Sequence, residues 1–427
     1  MTGRRRSRPE LRLEHAARQG RGLNNFDLLR LVGATLVIVA HSLELTRIRR
    51  TPTTVFHEGV GEIGVVVFFA ISGFLVARSW AYDPRPLSFA IKRALRLLPA
   101  LVVSLLLTAL VLGPLTTTLP LGTYLQEPGT KAYVLNNATF QLTVTLPGVF
   151  AHTPFPNVVN ASLWTLPLEV KAYCLVLVLG LLGLFGRRRL LMPVVGVFLA
   201  LLAVASVRGA LPLGDRLVAM MNEIQAPPTV LAQARANAYQ ELARVLAAFG
   251  VGASLFALAR WVPLRWTIAC ALAVAWVILA VASGGSAVPV ATALLLPYVV
   301  ILLAYRTTHL VRMPRRLGDY SYGLYIFAFP VQQAILQWLA PTNGWVTLAL
   351  TLPLVLALAV ASWHFVEAPA LTLKQRIWQP LERAGAAAAA HPLGRVSLQP
   401  AVPALASAVG DGAVLAQGPR GSDVDTR

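Results

Sequence analysis

Apolar runs approaching the ~20 residues that a helix needs to cross a bilayer recur along most of the chain. In lipid every backbone N–H and C=O must be bonded within its own segment, so a lone run of that length is a helix. Hydropathy predicts about ten of them. They lie near Leu28–Leu45, Ile63–Trp80, Leu97–Thr117, Leu168–Phe185, Leu190–Val207, Leu242–Ala259, Leu264–Ala282, Val288–Tyr305, Leu317–Leu339 and Trp345–Phe365. The expected fold is all-α, a polytopic transmembrane helical bundle. Composition agrees. Of 427 residues, 56 % are apolar and 13 % charged, where a soluble domain carries about 25 % charged residues. Mean hydropathy is +0.64. A soluble multi-domain enzyme and a disordered chain are both excluded.

The formal charge is +19, from 37 Lys+Arg against 18 Asp+Glu. Nearly all of it is arginine; the only lysines are Lys92, Lys131, Lys171 and Lys374. The basic residues lie between apolar runs and form no single patch. This argues against nucleic acid as a partner and for loop charge on one side of a membrane. Alternate loops carry Arg85, Lys92, Arg93 and Arg96, then Arg187, Arg188 and Arg189, then Arg260 and Arg265, then Arg306, Arg312, Arg315 and Arg316. The loops between them hold fewer, with Arg47, Arg49 and Arg50 as the misfit. With about ten spans, both termini are expected in the cytoplasm.

Residues 1–25 read as a basic cytoplasmic segment ahead of an uncleaved first span, and residues 26–376 as the membrane domain. Residues 377–427 read as a cytoplasmic Ala/Gly/Pro-rich tail, expected to be disordered. The long segment 119–166 is expected to fold over the outer mouth of the bundle. In 209–240, Leu217, Met220, Met221 and Ile224 recur at helical spacing, as in an interfacial helix. Cys174 and Cys270 sit inside apolar runs and point to packing, with neither a disulfide nor a metal site.

Ionisable residues inside spans are costly, which makes them functional candidates. Arg30 and His41 lie eleven residues apart. On a helix that is about 1100°, within ~20° of alignment, with a rise of ~16 Å. They therefore share a face. Asp27 is placed to pair with Arg30, and Glu44 to orient the His41 ring. A structural histidine bonded to a neighbouring helix is the plain alternative. Arg93 and Arg96, at i and i+3, stand at the entrance of the third span and suit a phosphate-rich ligand; positive-inside anchoring is the competing reading. Glu169 and Lys171 stand at the outer end of the fourth span, after Trp164 and Pro167, and do not share a face.

Five pieces in order resemble the acyltransferase-3 family of polytopic membrane acyltransferases, from Asn24 to about Arg376. They are Phe26-Asp27-Leu28-Leu29-Arg30 with His41, Gly64 to Leu75, Arg93-x-x-Arg96-x-x-Pro99, Ser162 to Tyr173, and Ser321-Tyr322-Gly323-Leu324-Tyr325 with Glu367-Ala368-Pro369 closing the last span. The resemblance implies acyl transfer from cytoplasmic acyl-CoA, commonly acetyl-CoA, at a bacterial cytoplasmic membrane. The acceptor would be a hydroxyl of an envelope or exported glycan, a glycolipid or a secreted metabolite. Arg30 and His41 match the family's Arg-x10-His motif, whose histidine is essential, and Arg93 and Arg96 its Arg-x-x-Arg motif. His41 is thereby the expected catalytic group, with Glu169 expected beside it to orient the acceptor or the histidine, and Arg30, Arg93 and Arg96 are the expected donor-binding groups. No permanently bound cofactor and no metal are expected. Many relatives carry a histidine in the span after the Ser-Tyr piece; Phe327-Ala328-Phe329 stands here instead, so no catalytic role is expected there. Ser72, beside Gly73, reads as a packing residue. The alternative class is a transporter or lipid-linked glycan flippase, which buried His and Arg would also suit.

Overall fold

The computed structural model describes residues 12–18, 24–46, 54–55, 58–185, 228–308, 310 and 318–373, with backbone alone for 18 and 228–240. The expected span Leu190–Val207, the segment 209–227, the arginines at 187–189 and the tail 377–427 lie outside these residues. Contacts divide the chain into Met1–Arg376 and Ile377–Arg427, and all described residues belong to the first unit.

The described residues form helices α1 (Leu13–Arg18), α2 (Phe26–Leu45), α3 (Val60–Tyr82), α4 (Pro86–Thr116), α5 (Leu121–Gln126), α6 (Pro128–Ala138), α7 (Thr165–Leu181), α8 (Pro228–Ala257), α9 (Trp266–Ala282), α10 (Val288–Arg306), α11 (Ser321–Leu339) and α12 (Gly344–Leu373). A two-stranded hairpin, β1 (Thr54–Val55) and β2 (Glu58–Gly59), precedes α3. Six helical stretches are long and apolar enough to cross a membrane: α2, α3, α4, Ala161–Leu181, α10 and α12. Helices α8, α9 and α11 stand where hydropathy puts further spans, but they are shorter or more polar.

The reason is clearest for α11. Fifteen of its nineteen residues are buried, Ser321, Gln332 and Gln333 among them. A helix wrapped by other helices can carry polar side chains that satisfy its neighbours. By contrast α9 exposes Val274, Ile278 and Val281, an apolar surface that suits lipid.

Glycine sets the closest approaches. A Cβ on Gly64 of α3 would stand 2.4 Å from the Gly33 carbonyl oxygen of α2. One on Gly73 would stand 2.0 Å from the Phe249 carbonyl oxygen, and one on Gly252 2.2 Å from that of Ala70. Small residues let backbones pack this tightly. Between α3 and α4, Asp83 accepts hydrogen bonds from Arg85 and Ser88, both at 2.6 Å, and from Lys92. Burial alone would raise its carboxyl, but the bonds from Arg85, Lys92 and Ser88 outweigh it and hold the group well below the usual range.

Segment 117–164 folds against α11 from Ile326 onward. Asn160 Nδ2 donates to the Ile326 carbonyl at 2.8 Å. Gln333 Nε2 donates to the carbonyls of Phe155 and Val158, both at 2.7 Å. The basic amino-terminal segment contributes packing as well as charge: Leu13, Ala16 and Ala17 are buried in one cluster with Leu264 and Tyr298.

Candidate active site

Helices α2 and α11 run side by side in the same direction. Arg30 Nη1 donates to Asp319 Oδ2 at 3.0 Å, just before α11 begins. Farther along, the His41 ring meets Phe329 edge-on, with centroids 5.2 Å apart. Gln332 Nε2 pins the register by donating to the Ile38 carbonyl at 2.9 Å and to Ser42 Oγ at 2.7 Å. Arg30 and His41 thus share one helix face, as their spacing predicts. Arg30 also pairs with Asp27 at 3.2 Å.

His41 Nδ1 is buried and has no hydrogen-bond partner. The bond to Glu44 expected from one-turn spacing is not formed; Glu44 instead has Glu62 of α3 as its charged neighbour. A purely structural histidine would be bonded to its surroundings, so the unpaired nitrogen argues for a chemical role.

At the Arg30 end, four elements meet through charge. Arg96 Nη2 of α4 donates to Asp319 Oδ2 at 2.5 Å, and its Nη1 to Glu367 Oε2 of α12 at 2.9 Å. Ser362 Oγ donates to the other Glu367 oxygen at 3.1 Å. Side-chain exposure is 10 % for Asp319, 21 % for Arg96 and 2 % for Glu367. The Arg96 guanidinium lies over the Tyr322 ring, 5.5 Å from its centroid.

Arg93 turns elsewhere. Three residues on a helix rotate a side chain by ~300°, enough to send it to α7. Its guanidinium lies over Tyr173 at 5.6 Å and Phe89 at 6.0 Å, and its Nε is buried without a partner. Arg93 and Arg96 do not grip one point. Glu169 shares Tyr173 with Arg93 and lies close enough to act on its charge. It accepts from Ser72 Oγ at 3.1 Å and from the Tyr173 hydroxyl. Glu169 therefore sits against the middle of α3, since the segment before α7 reaches inward, and not at a loop-facing helix end as the sequence suggests. No described hydrogen bond joins it to His41. Ser72, expected only to pack, is a donor to this carboxylate.

Sequence reasoning misses the part played by Asp319. The signal available is a lone acid two residues before Ser321-Tyr322, just after the basic run Arg312 to Arg316. Glu367 is visible only as the close of a motif. A groove of about 280 Å³ lies beside α7, lined by Phe140, Leu142, Trp164, Pro167, Lys171 and Leu242 among others. Its lining includes neither His41 nor the three arginines.

The acyltransferase-3 family profile, described as an acyltransferase domain, matches residues 23–364. That range contains Arg30, His41, Arg93, Arg96, Glu169 and Asp319. The chain is 27 % identical over 368 residues to the O-acetyl transferase of Shigella phage Sf6, covering 82 % of this chain and 96 % of the relative. Nodulation protein 10 of Rhizobium leguminosarum bv. viciae is 41 % identical over 100 residues, 22 % of this chain and 27 % of that protein. No solved structure gives a significant match.

Proposed function

The chain belongs to the acyltransferase-3 family of acyltransferase domains, and we propose that it moves an acetyl group from acetyl-CoA to a hydroxyl of an envelope or exported glycan, a glycolipid or a secreted metabolite. The likeness to a phage O-acetyl transferase supports acetyl as the group and oxygen as its destination. The observation that carries the mechanism is the unpaired, buried Nδ1 of His41 on the helix face that also bears Arg30.

An acceptor hydroxyl is a poor nucleophile. In this reading His41 takes its proton as the oxygen bonds to the acyl carbon. The carbon–sulfur bond then breaks, and the departing thiolate takes the proton to leave CoA as a thiol. A positioned base of this kind gives about 10²–10⁴-fold. Arg30, Arg93 and Arg96 would hold the phosphates of CoA. Its long arm would follow the seam of α2 and α11 over the ~16 Å from Arg30 to His41. Glu169 would act through Arg93, its neighbour, in preference to His41.

The same reading puts the arginines on the cytoplasmic side of a bacterial cytoplasmic membrane, with about ten spans and both termini inside. Helix directions support the count. Helices α7 and α3 run parallel, since Ser72 meets Glu169 and Trp80 meets Gly180. Helices α8 and α3 also run parallel, since Glu58 meets Arg244 and Phe74 meets Phe256. Two successive helices with one direction need a crossing between them, and Leu190–Val207 is the apolar run available.

The test is acetyl transfer itself. Membranes with and without the protein are given labelled acetyl-CoA and envelope glycan, and base-labile label on the glycan is counted. More label with the protein is expected; equal label would remove the proposal.

A further inference from the structure

We propose that Asp319 is the positioning residue of the donor site, holding Arg30 and Arg96 at the separation that receives the phosphates of acyl-CoA. The inference rests on the acyl-CoA reading above. One oxygen, Oδ2, accepts from both guanidiniums, from Arg30 Nη1 at 3.0 Å and Arg96 Nη2 at 2.5 Å. The other, Oδ1, accepts from Ser321 Oγ. The carboxylate is therefore fixed at both atoms, and its side chain is 10 % exposed.

Two guanidiniums this close repel, the more so with little water between them. Asp319 removes that repulsion at the point where the arginines converge. Without it, each arginine has a different carboxylate to follow. Among the described residues Arg30 keeps only Asp27, whose side chain is 61 % exposed. Arg96 keeps Glu367, whose side chain is 2 % exposed. The two would part, one toward solvent and the other toward α12. A pair of arginines spread in this way no longer presents its donors together to a phosphate.

Asp319 also stands at the foot of the helix that carries Phe329 to His41. Donor binding and the reacting end are thus linked through the first half of one helix. Asp319 touches no reacting atom in this account, so its effect belongs in donor affinity and not in the chemical step.

The experiment measures kcat and KM for acetyl-CoA in membranes holding the wild type, Asp319→Asn, Asp319→Glu and Ser321→Ala. Asp319→Asn keeps the shape and loses the charge. Its KM is expected to rise about tenfold or more, the scale of losing a charge-assisted bond, with kcat within about threefold of wild type. Asp319→Glu restores the charge and is expected to recover most of the KM. Ser321→Ala frees one oxygen only and is expected to raise KM by about two- to threefold. An unchanged KM in Asp319→Asn, or a fall in kcat at constant KM, overturns the proposal. If Asp319→Asn fails to insert, an unchanged KM in Ser321→Ala overturns it. A wild type with no acetyl-CoA-dependent transfer is a different result, and removes the donor reading itself.

Discussion

His41 meets Phe329 edge-on, with ring planes at 82°, on the seam where Arg30 reaches Asp319 at 3.0 Å. The two contacts lie about ten residues apart along one helix pair, α2 and α11. Gln332 holds that pair in register through Ile38 and Ser42. Arg30 and the His41 ring nitrogen are thus set at a fixed span, which suits the proposed donor, with its phosphate end and its reacting end.

Arg96 is bound to two carboxylates, so its loss acts on folding before it acts on catalysis. Arg96→Ala leaves Asp319 and Glu367 short of a counter-charge. Removing one partner of a buried pair costs about 3–5 kcal/mol. A clear drop in thermal midpoint is expected in detergent. Arg96→Lys keeps the charge and loses the fork; it is expected to stay folded and to raise KM for acetyl-CoA more than it lowers kcat. A lysine variant with wild-type KM would take Arg96 out of the donor site.

Glu169 faces Arg93 and not His41. Glu169 accepts from Tyr173, whose ring lies under the Arg93 guanidinium, so Glu169→Gln should raise donor KM by about two- to threefold through that ring, while kcat stays within a few-fold. A collapse of kcat at constant KM would show that Glu169 works on the acceptor or on the histidine.

Away from this site, Arg244 of α8 pairs with Glu58 and Glu241, and the side chains of Arg244 and Glu58 are 4 % and 0 % exposed. Thr292 of α10 also donates to Glu58, at 3.0 Å. Arg244→Met should cost about 3–5 kcal/mol by stranding the acid. Adding Glu58→Gln should recover part of that loss in thermal unfolding. If the double variant melts no higher than Arg244→Met, the stranded charge is not the cause.

The contact of α3 with α8 depends on missing side chains. Gly252→Val puts a Cβ 2.2 Å from the Ala70 carbonyl oxygen, and overpacking of this kind costs about 1–3 kcal/mol or more. Loss of monodisperse protein in size-exclusion chromatography is expected. An unshifted profile and melting point would mean that the helices part easily.

What the sequence discloses here is local. Arg30 and His41 share a face because 3.6 residues per turn makes eleven residues almost a whole number of turns, and Asp27 pairs with Arg30 by the same arithmetic. What it hides is long-range. The grip of Asp319 on Arg30 and Arg96 joins residues 289 and 223 positions apart, which no periodicity can reveal. Glu169 looks like an interfacial acid until segment 117–164 is seen to turn inward and set it against Ser72. Hydropathy places a span over helix α11 but cannot show that its polar side chains serve neighbouring helices, as Gln332 serves α2.

The role of His41 is read most directly from one rate. Labelled acetyl transfer from acetyl-CoA to envelope glycan is compared in membranes holding equal amounts of folded wild type and His41→Ala. A fall of about 10²–10⁴-fold is expected if the imidazole is the base, with KM for acetyl-CoA little changed because the arginines are intact. Transfer by His41→Ala at the wild-type rate would contradict the account.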